Sequence, residues 1–311
     1  MTRIFLTLTT MCLVGVTALS GCTPGGAKEP TIDPVSGFPI FQSEIPITAE
    51  IFAPGVINST WPEFGISFTA GGDTLYFDRT IKDRTKATVL RSVAIDGVWQ
   101  EPEVAPFSGP TFDVDPFVTS DGGIFYSSLQ FDVERDSLAS FDFWFWSGTG
   151  DPVRLPRPLN SDANESFMTG TLDGALYFGS NRNGPAEIFV SDFKEGQRYT
   201  PVVVPIEGVT NPGNPLISPD GNTLVFASEM NDGQTQLSFI CRSEGVWSSP
   251  TLFPEPINSA DMEYAPGMDR EGYLYFASER QGMVLEAFEG DRRPSDIYQS
   301  NLKISSLCPS K

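Results

Sequence analysis

The segment Pro215-Leu216-Ile217-Ser218-Pro219-Asp220-Gly221-Asn222-Thr223-Leu224-Val225-Phe226-Ala227-Ser228 contains the pattern that repeats along this chain. A short apolar run meets a Pro-Asp-Gly turn, and a second apolar run follows, so the segment reads as two strands joined tightly. Its pattern of a turn glycine followed by an aromatic-rich strand recurs. It appears at Gly72 with Leu75-Tyr76-Phe77, Gly122 with Ile124-Phe125-Tyr126, Gly174 with Leu176-Tyr177-Phe178, and Gly272 with Leu274-Tyr275-Phe276. The middle residues of these strands lie 49, 52, 48 and 50 positions apart. Two further markers keep the same beat. Gly97-Val98-Trp99 returns as Gly245-Val246-Trp247, and Ile57-Asn58-Ser59 returns as Leu159-Asn160-Ser161 and Ile257-Asn258-Ser259. A period of about fifty residues, holding four short strands and no helical periodicity, describes one blade of a β-propeller. A small sheet cannot bury both faces alone, so the aromatic strands are expected to pack between blades.

Counting the aromatic strands predicts an all-β chain of five blades, each of four antiparallel strands; six blades is the alternative. Ile47-Thr48-Ala49-Glu50-Ile51-Phe52 precedes the first blade and has the character of an outermost strand. The last blade runs out after Asp296–Leu302, so the N-terminal strand is expected to complete it and remove the open edge. The propeller then spans 45–303, with a C-terminal tail over 304–311. Between its second and third strands the fifth blade carries an insertion from Gly282 to Arg293, read as a surface loop with partner binding as the sharper alternative.

The Pro215–Ser228 segment, and Glu263-Tyr264-Ala265-Pro266 through Leu274-Tyr275-Phe276-Ala277-Ser278, resemble the WD40-like Pro-Asp repeat of TolB-like propellers. The resemblance weakens in the first two blades, where Ala70-Gly71-Gly72 replaces the Pro-Asp turn. It implies contacts with envelope proteins. The N-terminal domain that accompanies such propellers in the Tol system is not expected here, because the chain passes almost directly into the first propeller strand.

Residues 1–21 read as an export signal: Arg3, then a mostly apolar run from Ile4 to Leu19 that is too short and too weakly apolar to read as a membrane span. Leu19-Ser20-Gly21-Cys22 resembles the lipobox of bacterial lipoproteins, which implies a lipid on the Cys22 thiol. Thr23 follows without an aspartate, a pattern similar to outer-membrane sorting facing the periplasm. Residues 22–44, rich in Pro and Gly, are expected to form a flexible tether. With Cys12 and Cys22 so assigned, Cys241 and Cys308 are left in an oxidising compartment, where a disulfide or two separate thiols are both open.

The formal net charge of -20 disfavours nucleic acid and anionic surfaces. The chain has 0 histidines, which removes Ser-His-Asp and Cys-His catalysis and histidine metal sites. No metal or cofactor site is read. Acidic residues recur at the start of the blades: Glu63, Asp113 with Asp115, Glu165 and Glu263. In a propeller such positions gather around one channel mouth, so they are the candidate binding residues, with turn capping as the structural alternative. A protein-binding scaffold is the leading functional reading. Carbohydrate binding is an alternative, with Trp61, Trp99, Trp144, Trp146 and Trp247 as stacking candidates. A five-bladed glycoside hydrolase is the enzymatic alternative, since Asp115-Pro116-Phe117-Val118 is similar to the general-base strand of arabinanases and carboxylates suffice for that chemistry.

Overall fold

In the computed structural model the described residues are 31–33, 38–81, 85–110, 112–129, 131–132, 137–138, 140–283 and 293–308. The export signal, Cys22 and the insertion residues 284–292 lie outside them. The chain forms five radial sheets and is an all-β, five-bladed β-propeller. Five inner strands line the axis: Glu63–Phe68, Asp113–Val118, Glu165–Gly170, Thr210–Ile217 and Glu263–Met268. Each packs against the inner strands of the two neighbouring blades, the fifth against the first. The second strands are Thr74–Thr80, Ile124–Ser128, Leu176–Ser180, Thr223–Glu229 and Tyr273–Ser278.

The second strands explain the Leu-Tyr-Phe signature. Alternate residues of a strand point to opposite faces, and here both faces are covered. Leu75 and Phe77 enter the core between blades five and one, whereas Tyr76 enters the core between blades one and two. Leu176 and Phe178 face blade two, and Tyr177 faces blade four. Leu274 and Phe276 face blade four, and Tyr275 faces blade one. Three consecutive apolar residues are therefore needed, and each ring is worth about 2–3 kcal/mol of burial. The turns ahead of these strands place Gly72, Gly122, Gly174, Gly221 and Gly272 at φ between 73° and 89°. A side chain is strained in that region, so the turn glycine keeps the beat of the repeat.

The ring closes as the N-terminal strand predicts. Ala49–Ile51 pairs antiparallel with Asp296–Lys303 in the register Ala49↔Ser300, Glu50↔Gln299, Ile51↔Tyr298. Thr48 N donates to Asn301 Oδ1 at 2.9 Å, and Asn301 Nδ2 donates to Pro46 O at 3.0 Å. Just before the closing strand, the chain lies on blade four: Phe41 N donates to Leu252 O (2.8 Å), Leu252 N to Pro39 O (3.0 Å), and the Phe41 ring meets Phe239 edge-on. The end of the segment read as a tether thus covers the outer edge of blade four. Cys241 and Cys308 form a disulfide, Cα–Cα 5.6 Å, that fixes the C-terminal turn to the third strand of blade four.

Candidate functional site

One side-chain cluster recurs in blades one, three and five. Asn58, Asn160 and Asn258 are buried, and each clamps backbone of the preceding blade. Asn258 donates to Leu237 O (2.9 Å) and Phe253 O (2.8 Å) and accepts from Leu237 N (2.9 Å). The next residue, Ser59, Ser161 or Ser259, donates through N and Oγ to Glu63, Glu165 or Glu263. Each of these glutamates is 0% exposed and pairs with an arginine, at 2.7 Å to Arg79 and 3.0 Å to Arg182 and Arg280. The arginines also donate to the carbonyls of Ile57, Leu159 and Ile257 and lie over the faces of Phe77, Phe178 and Phe276. Burial pushes the Glu63 carboxyl up to about 7 against the pull of Ser59 and Arg79. In blade two Asp113 takes this place, bonded to Ser108 Oγ, Gly109 N and Ser128 Oγ. Blade four has no such acid, and its Ser228 hydroxyl is left without a hydrogen bond.

The channel waist is built differently. Every inner strand carries a register shift, and at it Gly65, Asp115, Phe167, Asn214 and Ala265 adopt φ of 48–63°. These bulges turn side chains and N–H groups toward the neighbouring blade. Asp115 N donates to Asp78 Oδ2 (2.9 Å), Phe167 N to Asp115 Oδ2 (3.1 Å), and Ala265 N to Asn214 Oδ1 (3.1 Å). Asp78 reaches the waist from the second strand of blade one because position 65 is glycine. A Cβ there would stand 2.0 Å from Asp78 Oδ2. Burial raises Asp78 well above the usual carboxylate range, and the neighbouring Asp115 charge raises it further. Burial brings Asp115 up to about 7, opposed by the hydrogen bond from Phe167 N.

Cavities flank the waist. The one at the start of the inner strands holds about 580 Å³ and is walled by Phe64, Phe112, Phe167 and Tyr264, with Asn164, Asn181, Asn211 and Asn214 among the aromatics. No Asp, Glu, Lys or Arg is among its described lining residues, although the chain carries a charge of -20. The cavity at the other end, about 490 Å³, is lined by Asp115, Asp121 and Asp269 together with Arg198 and Arg270.

The structure therefore distributes the candidate acids. Glu63, Asp113, Glu165 and Glu263 occupy equivalent places in four blades, but each is turned into its own blade and lines neither channel cavity. Asp115 alone among them reaches the channel. The sequence reading missed Arg79, Arg182 and Arg280; the fixed interval of 16 or 17 residues after each glutamate is the signal that links them. It also missed Asp78, which stands where the other blades place Ser127, Gly179, Ala227 and Ala277. Trp144 and Trp146 are half-buried against the core of blades one and two, Trp99 and Trp247 pack likewise at other junctions, and Trp61 is 43% exposed.

No protein-family model and no curated protein sequence matches the chain. Among solved structures it is similar to a putative TolB from Agrobacterium tumefaciens, with a TM-score of 0.47, 18% identity and 73% of each chain covered. It is similar to TolB from Acinetobacter baumannii at a TM-score of 0.46 and 12% identity, covering 78% of this chain and 55% of that one. The catalytic domain of an α-L-arabinofuranosidase from Coprinopsis cinerea gives 0.47 and 9%, covering 78% and 90%. These likenesses concern the fold: the chain is a β-propeller with structural similarity to TolB propellers and to other propeller families at low identity.

Proposed function

We propose that this protein is a membrane-anchored docking platform of the bacterial cell envelope, which takes an uncharged segment of a protein partner into the aromatic mouth of its channel. The observation that carries the reading is the lining of that mouth: four aromatic rings and four asparagines, with no charge among the described residues. Aromatic side chains dominate the energetics of protein interfaces, and buried charge is depleted there. A charged ligand entering this cavity would lose hydration and meet no counter-charge. The lipobox-like Leu19-Ser20-Gly21-Cys22 supports the anchor, and the Cys241–Cys308 disulfide suits an oxidising compartment outside the cytoplasm.

Hydrolysis is the less favoured reading, because glycosidases need two carboxyl groups that reach the scissile bond. Glu63, Asp113, Glu165 and Glu263 are held in internal hydrogen bonds, and Asp115 is 4% exposed. Carbohydrate binding is the second reading, favoured by the asparagine amides that share the mouth with the rings. In-cell cross-linking separates the two. A photoreactive amino acid at Thr235, which lines the mouth, should yield a discrete protein adduct in intact cells. An adduct carrying glycan and no peptide would replace the protein partner with a sugar.

A further inference from the structure

The mouth and the repeated Glu–Arg clusters leave the buried polar groups of the channel waist unexplained. Asp78 Oδ1 and Asp115 Oδ1 are buried and accept no hydrogen bond. The Ser127 hydroxyl, 0% exposed and close to Asp115, makes no hydrogen bond of good geometry. The other carboxylate oxygens are fixed by backbone: Asp78 Oδ2 by Asp115 N and Asp115 Oδ2 by Phe167 N. Among the described residues no arginine or lysine pairs with either acid, whereas each buried glutamate of the repeat has its own arginine. Asp113, which adds negative charge beside Asp78, is occupied by Ser108, Gly109 and Ser128.

Two carboxylates buried without a counter-charge are costly unless a cation or proton neutralises them. Among the described residues no group of three or more His, Cys, Asp and Glu is arranged to hold a metal, so a tightly caged transition metal does not fit. Two rigid carboxylates, one hydroxyl and an adjoining cavity of about 490 Å³ that admits water offer oxygen donors alone. Oxygen donors select hard cations, and calcium accepts a flexible shell completed by water. We propose that Asp78 Oδ1, Asp115 Oδ1 and Ser127 Oγ form a calcium-type divalent cation site at the waist of the propeller, filled from the cavity that Asp115 lines. The ion would join blade one to blade two at the only waist positions where acids face each other across a blade junction among the described residues. None of these three donors lines the mouth.

The test uses the full chain in detergent, stripped with chelator and titrated with calcium chloride against sodium chloride of equal ionic strength. Equilibrium dialysis should find one saturable calcium per chain, and saturation should raise Tm by about 5 °C. Asp78→Asn and Asp115→Asn should abolish that rise, and Ser127→Ala should move its midpoint to several-fold higher calcium. Diffuse binding to a chain of charge -20 is shared by every variant and cancels in the comparison. Absence of a saturable response in the wild type would overturn the proposal and leave a proton as the neutralising group. An undiminished response in both Asp78→Asn and Ser127→Ala would overturn it as well.

Discussion

Replacing Asn258 with alanine tests whether the Asn-Ser marker is a structural clamp. The amide is 4% exposed and makes three hydrogen bonds to backbone of blade four. After truncation, Leu237 O keeps a bond from Phe253 N at 3.2 Å, but the Leu237 N–H and the Phe253 carbonyl lose the amide partner. A buried polar group left unmade costs about 1–3 kcal/mol, and the small void adds to that. The expected loss is about 3–4 kcal/mol, a large share of the ~5–15 kcal/mol that holds a typical domain together. Asn258→Asp should be no better near neutrality, because it replaces a donor with an acceptor opposite two carbonyl oxygens. Equilibrium unfolding in urea measures both. Asn183→Ala, at an exposed loop position bonded only to Glu187 among the hydrogen bonds found for it, is the reference and should change stability by less than about 0.5 kcal/mol. A loss below about 1 kcal/mol for Asn258→Ala would refute the clamp.

Three further outcomes follow from the same packing. Removing residues 45–56 takes away the Ala49–Ile51 strand and should prevent a cooperative unfolding transition by circular dichroism; a truncated chain melting like the intact one would contradict ring closure. Arg182→Met leaves Glu165, 0% exposed, without its cation and should cost about 3–5 kcal/mol in denaturant unfolding, part of it restored by adding Glu165→Gln. Asp296 is raised from 3.8 to about 6 by burial, with Met283 N opposing the shift. The folded state therefore holds the proton more tightly than the unfolded state, and this group's contribution is fully present below 3.8 and lost as pH rises through about 6. Asp296→Asn should gain up to about 3 kcal/mol over wild type between acid and neutral pH, and a pH-independent difference between the two would oppose that reading.

The blade count was readable because the second strand of each blade is buried on both faces, so Leu-Tyr-Phe triplets stand out at regular intervals. The closing strand was readable for a complementary reason: Ile47–Phe52 has strand character without inner strands ahead of it. The candidate site was only half readable. Glu63, Glu165 and Glu263 announce themselves by recurrence, but recurrence reflects a structural need met in several blades, and their arginines lie a full hairpin away. Asp78 is visible only as a departure from the repeat, at a position where small residues are otherwise found. The bulges hide more. Each shifts the alternation of its inner strand, so simple period-two reading does not place Phe64, Phe167 or Tyr264 around the mouth. Those aromatics come from strands whose first residues drew attention for their charge.

On the proposed function the uncharged mouth, and not the charged opposite cavity, receives the partner. Photo-crosslinking in living cells distinguishes the two, with the probe placed in turn at Thr235 in the mouth and at Leu172, 78% exposed on the opposite side. The prediction is a discrete adduct from Thr235 that disappears when Phe64→Ala and Tyr264→Ala are combined, and none from Leu172. Equal adducts from both positions, or an adduct from Leu172 alone, would contradict the account.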